Sequence, residues 1–228
     1  MKKLTTGTAT VTMMVLLGLI IVSEAQARVV LATRGPRYHQ SPSNHELIFE
    51  GGLAEPMGDQ SDDFWSTDNG FGSSTGYQLG MRFRQYMGEY FAVSPAFHYT
   101  RFGTASGVAD FADGSSLGYE IRTSNYRYGL DMQAFMGGGD SPARLFLTGG
   151  IALVNNRYRD ELQYSSSFKA SYNSPAYSAG LGLKMRNIEL VGEYTYNRFD
   201  TNKFSYDGTS LSYNWDMLIV RVGLSFGR

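Results

Sequence analysis

The sequence predicts an all-β protein, an eight-stranded antiparallel up-and-down transmembrane β-barrel with short periplasmic turns and four long extracellular loops. Three observations carry that expectation. From residue 44 onward, eight segments alternate apolar and polar residues with period two, the spacing at which successive strand side chains face opposite ways. The connections between them alternate between long and short. Finally, one face of each segment is bulky and almost uncharged, while the other mixes Gly, Ala, Ser and Thr with ionised residues.

The chain opens with an export signature. Lys2 and Lys3 precede an apolar run from Val11 to Val22, and Ala25-Gln26-Ala27 follows. A positive start, a short apolar stretch and small residues at the −3 and −1 positions read as a cleaved secretory signal over residues 1–27. The run falls short of the ~20 residues that a spanning helix needs. Cleavage after Ala27 leaves Arg28–Arg228, of which 28–43 form a polar N-terminal extension and 44–228 the barrel.

The strands follow in order. Leu47, Phe49 and Leu53 oppose Ile48, Glu50 and Gly52; Tyr77, Leu79, Met81 and Phe83 oppose Gln78, Gly80, Arg82 and Arg84. Phe91, Val93, Phe97 and Tyr99 alternate with Ala92, Ser94, Ala96 and His98. Tyr126, Tyr128, Leu130 and Met132 alternate with Arg127, Gly129, Asp131 and Gln133. Leu145, Leu147, Ile151 and Leu153 define the fifth segment, and Tyr177, Leu181, Leu183 and Met185 the sixth. The seventh sets Ile188, Leu190, Tyr194 and Tyr196 against Glu189, Val191, Glu193 and Thr195. The last sets Leu218, Val220, Val222, Leu224 and Phe226 against Ile219, Arg221, Gly223 and Ser225.

Residues 55–74, 103–118, 156–175 and 200–214 are the long connections; turns around 87–89, 137–142 and 186–187 are the short ones. That alternation belongs to barrels crossing an outer membrane. A soluble sandwich or lipocalin-like barrel also alternates, but it packs its large residues inside. Eight strands enclose a space only just filled by side chains, so this many large apolar residues must face lipid. The chain is therefore expected in the cell outer membrane, as a monomer.

Composition removes other classes. A net charge of −1 offers no basic footprint for nucleic acid. The absence of cysteine excludes disulfides, thiolate metal sites and cysteine nucleophiles. No P-loop, dinucleotide glycine pattern, H-E-x-x-H or G-x-S-x-G is present, and no cofactor is expected.

The alternating loops, the glycine-rich apolar strands and the final strand ending at Phe226 resemble the small eight-stranded outer-membrane barrels of the OmpA/OmpX/OmpW type. The likeness covers residues 44–227. It implies that Phe226 belongs to the signal read by the barrel-assembly machinery, although Gly227 and Arg228 follow it here where many members stop. No peptidoglycan-binding domain is expected after the barrel. The OmpW-type likeness also allows a narrow channel for small solutes.

The inward face places Glu50, Arg82, Arg84, Arg127, Asp131, Arg144, Lys184, Glu189, Glu193 and Arg221 in the lumen. Four acidic and six basic groups are close enough to balance for pairing, which buried charges require. They are expected either to plug the lumen or to line a narrow water path. Tyr77, Tyr86, Tyr90, Tyr99, Tyr126, Tyr158, Tyr177 and Tyr196 fall near strand ends, as in an interfacial aromatic girdle. The first loop carries Glu55, Asp59, Asp62, Asp63 and Asp68, a set able to share a hard cation but lacking EF-hand spacing.

Phe64, Trp65, Phe71 and Phe111 are loop aromatics suited to anchoring a surface ligand. Lipid and lipopolysaccharide are the other expected partners. A lipid-modifying enzyme would need His98 with a nucleophile such as Ser124. A satisfied interior histidine is the simpler reading, so no catalytic and no metal site is assigned.

Overall fold

In the computed structural model, the described residues are 45–61, 72–110, 114–137, 141–162, 168–201 and 211–227. The signal segment, the 28–43 extension and the loop residues Asp62, Asp63, Phe64, Trp65, Asp68, Phe71 and Phe111 lie outside them. Ten strands form one antiparallel system: β1 His45–Pro56, β2 Ser74–Met87, β3 Phe91–Gly103, β4 Ala105–Asp110, β5 Ser116–Met136, β6 Ala143–Leu162, β7 Phe168–Met185, β8 Ile188–Thr201, β9 Leu211–Asn214 and β10 Met217–Phe226. β10 pairs with both β8 and β1, so eight strands close a ring. β4 and β9 extend hairpins beyond it.

The pairings can be followed strand by strand around the ring. Glu46 lies opposite Arg84. The next pairing, to Ser94, falls between Arg82↔Ala96 and Gln85↔Val93. The path continues through Asp131, Gly150, Ser178, Thr195 and Met217. It returns to β1 at Pro56, ten residues above its start. A shear of ten over eight strands tilts them by roughly 45°, as membrane barrels require. Closure pairs every wall strand on both sides, so no ladder edge faces lipid.

Short turns sit at one end. Gly88 and Gly137 take φ of +83° and +92°, and Arg186 turns the tightest hairpin at φ 51°. The carbonyl of its neighbour Asn187 accepts from Ser225 N–H at 2.7 Å, tying the turn to β10.

The faces divide as the alternation predicts. Phe49, Leu79, Met81, Leu130, Leu147, Ile151, Leu181 and Val222 are exposed on the outside; Arg82, Arg84, His98, Asp131, Glu189 and Arg221 are buried inside. The apolar outer band is capped by tyrosines in contact: Tyr99 lies 4.9 Å from Tyr126 and 6.4 Å from Tyr77, ring to ring.

Two features differ from the sequence expectation. The strands run well into the segments read as long connections, β5 spanning 21 residues and β6 20. Above the membrane the outer face turns polar and the inner face mixes amides with aromatics, so the two-residue pattern that marks the lower strands fades while the hydrogen-bond ladder continues. Tyr86 and Tyr158 also depart from the girdle. Tyr86 packs inward on Phe135, and Tyr158 is buried in an interior cluster.

Candidate functional site

The lumen is layered. At the short-turn end Ala92, Phe135, Phe146 and Val191 form an apolar floor with Tyr86 against it. The rings of Phe135 and Phe146 lie 5.1 Å apart. The guanidinium of Arg84 stacks over both, at 5.3 and 5.6 Å. Cation–π contact of this kind is strongest where water is excluded.

Above the floor stands a column of ions. Glu46 accepts from Arg84 at 3.0 Å and from Lys184 at 2.9 Å. Glu189 takes both terminal nitrogens of Arg84 and, at 3.2 Å, Arg82. Arg82 pairs with Glu50, whose carboxylate also hydrogen-bonds His98 Nε2 at 2.7 Å and lies 3.4 Å from Arg221 Nε as an ion pair. Arg221 reaches Glu193 at 2.8 Å; Glu193 holds Arg127; Arg127 reaches Asp131 at 3.0 Å and Ser178 Oγ at 2.8 Å. From Glu46 to Asp131 nine side chains alternate in sign without a break.

Of the ten charges placed in the lumen by the alternation, nine share this network. Arg144 stands apart, lying 4.5 Å over Phe135 and donating to the Glu89 carbonyl. Glu46 joins in its place, one step below the inward residues picked from the first segment. Counting Glu46 in and Arg144 out balances the network at five carboxylates and five cations.

Further out, Ala54, Phe102, Met217 and Ile219 make an apolar shelf. Next comes a closed amide–hydroxyl ring: Asn156 Nδ2 donates to Ser174 Oγ (2.8 Å), Ser174 Oγ to Asn197 Oδ1 (2.6 Å) and Asn197 Nδ2 to Asn156 Oδ1 (2.9 Å). At the outer end Ile121, Tyr158, Phe199, Tyr213 and Trp215 form an aromatic cap, with Phe199 edge-on to Trp215 at 5.3 Å. Trp215 and Asp216 interrupt the ladder between β9 and β10. There the Asp216 carboxylate accepts Asn197 N–H at 2.9 Å and its carbonyl accepts Met57 N–H at 2.8 Å. Such a break bends the strand and re-aims a side chain, here turning Trp215 inward.

This cap was not legible in advance: Tyr158 and Tyr213 come from segments read as loops, and Ile121, Phe199 and Trp215 lie just outside the strands that the alternation marked. Burial within it pushes the Tyr158 and Tyr213 hydroxyls above their ordinary range.

The remaining candidates divide. His98 is buried against Glu50, whereas Ser124 lies on the outer wall of β5, in strand register with Arg157. The two are on opposite faces, so they form no nucleophile–base pair. Glu55 accepts from Thr75 Oγ1, and Asp59 accepts Asn214 N–H at 2.7 Å. Among the described residues no three His, Cys, Asp or Glu groups converge on a metal position. Phe226 sits at the lipid-facing end of β10, edge-on to Phe49 at 6.1 Å.

A closed ring of eight tilted strands, apolar outside and ionised inside, is a transmembrane β-barrel of the outer-membrane class. No protein-family model and no curated protein matches the sequence. Among solved structures the chain is similar to Ail, the attachment invasion locus protein of Yersinia pestis, solved in complex with the heparin analogue sucrose octasulfate. That match has 16% identity and a TM-score of 0.49, over 80% of this chain and 99% of that one. It is similar too to Neisserial surface protein A (16%, TM-score 0.45, 81% and 98%). A third is the N-terminal barrel of Pseudomonas aeruginosa OprF (14%, TM-score 0.42, 81% and 98%).

Proposed function

We propose that this outer-membrane barrel is a closed, non-catalytic scaffold: its ion-pair column plugs the lumen, and its raised outer end serves surface interaction. The alternating column from Glu46 to Asp131 carries the reading. A hydrated ion entering the lumen has to displace members of that column. Each displaced partner then remains as an unpaired buried charge, at a cost of several kcal/mol. The inner pairs from Arg84 to Asp131 lie between the floor and the cap with almost no exposed surface, which strengthens them.

The strand lengths support the surface role. A spanning strand needs about 9–11 residues, so β5 and β6 project a rigid wall well beyond the lipid. The exposed apolar band takes membrane lipid as its first partner, and Phe226 is assigned to recognition by the assembly machinery.

The test is the pair of substitutions Glu189→Gln and Glu193→Gln made together. A plug loses stability in a urea titration and leaves a planar bilayer electrically silent. Unchanged stability with altered ion selectivity would instead mark the same residues as pore lining.

A further inference from the structure

We propose that the outer wall built by β3, β5, β6 and β7 binds one phosphorylated glycolipid of the outer leaflet, its phosphates on a basic cleft and an acyl chain in an apolar groove beneath. The proposal rests on the membrane barrel itself and is independent of whether the lumen is plugged.

The cleft, of about 460 Å³, carries Arg101, Arg122, Arg157, Arg159 and Lys169. Strand register crowds them. Arg122 lies directly opposite Arg159, and Arg159 opposite Lys169. One level lower, Arg101 and Arg157 flank Ser124. Like charges facing one another across strands are destabilising, so this arrangement is held at a cost unless an anion joins it.

Two carboxylates relieve part of that charge: Glu120 pairs with Arg122 at 2.5 Å and Glu161 with Arg159 at 2.6 Å. Arg101, Arg157 and Lys169 have no carboxylate partner among the described residues. Arg157 is positioned without one. Its Nε donates to Asn155 Oδ1 at 2.9 Å, and its guanidinium lies 4.4 Å over the Tyr126 ring. Both Nη groups are left to donate, at the level of the tyrosine girdle. That is where a lipid headgroup meets the protein.

The second observation lies directly below. An almost wholly apolar groove of about 780 Å³ runs down the lipid-facing wall of the same four strands and on to β2 and β1. Pro95 of β3, opposite Leu130, and Pro175 of β7, opposite Leu153, make shallow positions among larger neighbours such as Phe97. A groove in the hydrocarbon band that ends beneath clustered cations matches an amphipathic occupant with a long apolar chain and a polyanionic head. Two rows of cations suit a head bearing two phosphates, since each phosphate draws charge-assisted hydrogen bonds from several donors.

The experiment titrates the purified, refolded full chain in neutral detergent with diphosphorylated lipid A, its dephosphorylated form and its deacylated sugar bisphosphate, read by microscale thermophoresis. The variants are Arg101→Gln/Arg157→Gln/Lys169→Gln and, to fill the groove, Ile151→Trp. All four positions lie on the outer wall, and far-UV circular dichroism with the heat-dependent gel shift verifies the barrel. The triple variant is expected to bind diphosphorylated lipid A more than about tenfold more weakly, the loss of one to two charge-assisted contacts. Ile151→Trp is expected to weaken the lipid several-fold and leave the deacylated bisphosphate unchanged. Equal binding of phosphorylated and dephosphorylated lipid, or wild-type affinity in the triple variant, overturns the proposal. Deacylated bisphosphate binding as tightly as the whole lipid would make the cleft a site for soluble polyanions and remove the lipid assignment.

Discussion

Glu193 of β8 and Arg221 of β10 meet at 2.8 Å in the middle of the lumen, both fully sheltered from solvent. Each has a second partner, Arg127 for Glu193 and Glu50 for Arg221. The contact is thus one link in a chain, and a defect in it propagates to both neighbours.

Glu193→Gln therefore leaves two guanidinium groups sharing too little negative charge. Removing one member of a buried pair costs about 3–5 kcal/mol, visible as a lower urea midpoint for unfolding from lipid vesicles. Glu193→Gln/Arg221→Gln should cost less than the two single changes added together. Strict additivity would mean that the two side chains are not coupled.

The floor is tested at Gly182. A Cβ there would lie 2.1 Å from Cζ of Phe146, so Gly182→Ala must displace the ring beneath Arg84. Overpacking of this kind costs about 1–3 kcal/mol. Phe146→Leu, which vacates the space, should recover most of it. A penalty that persists beside Phe146→Leu would place its origin in the backbone.

The cap offers a spectroscopic reading. The chain has two tryptophans, Trp65 and Trp215, so Trp65→Phe isolates Trp215, which has no exposed surface. Its emission should be blue-shifted and resist acrylamide quenching. Trp215→Ala should cost about 3–5 kcal/mol in the same urea titration. Easy quenching would show an open outer end.

Much of this was legible in the residues, and where it was not the reason is physical. Lipid and a charged lumen are so unlike that two-residue alternation assigned Leu47, Met81, Leu130 and Val222 to one side and Glu50, Arg82, Asp131 and Arg221 to the other. Above the membrane that contrast disappears. The run Asn156 to Leu162 reads as the start of a polar loop, yet it is strand, and it sends Tyr158 inward. Glu46 was legible in principle, lying two residues before Ile48 on the inward face at the very start of β1. Trp215 was not, since its direction depends on the local break at Asp216.

The outer end also titrates. Asp160 follows Tyr158 on the inward face of β6, and burial raises its carboxyl above the ordinary value of 3.8. A carboxyl raised on folding contributes stability at low pH and loses it as pH climbs through the folded value. Asp160→Asn should therefore match the native protein below about pH 4. It should become progressively the more stable of the two as pH rises towards neutrality, in urea midpoints taken across that range. A constant difference at all pH values would contradict this.

If paired charges close the lumen, the purified, refolded protein passes no current in single-channel recording from a planar bilayer. Insertion is verified independently by protease protection, and a barrel of known conductance runs alongside. The expected result is a silent membrane with the protein correctly inserted. Discrete, reproducible current steps would show instead that water threads the column from Glu46 to Asp131 and that the lumen is open.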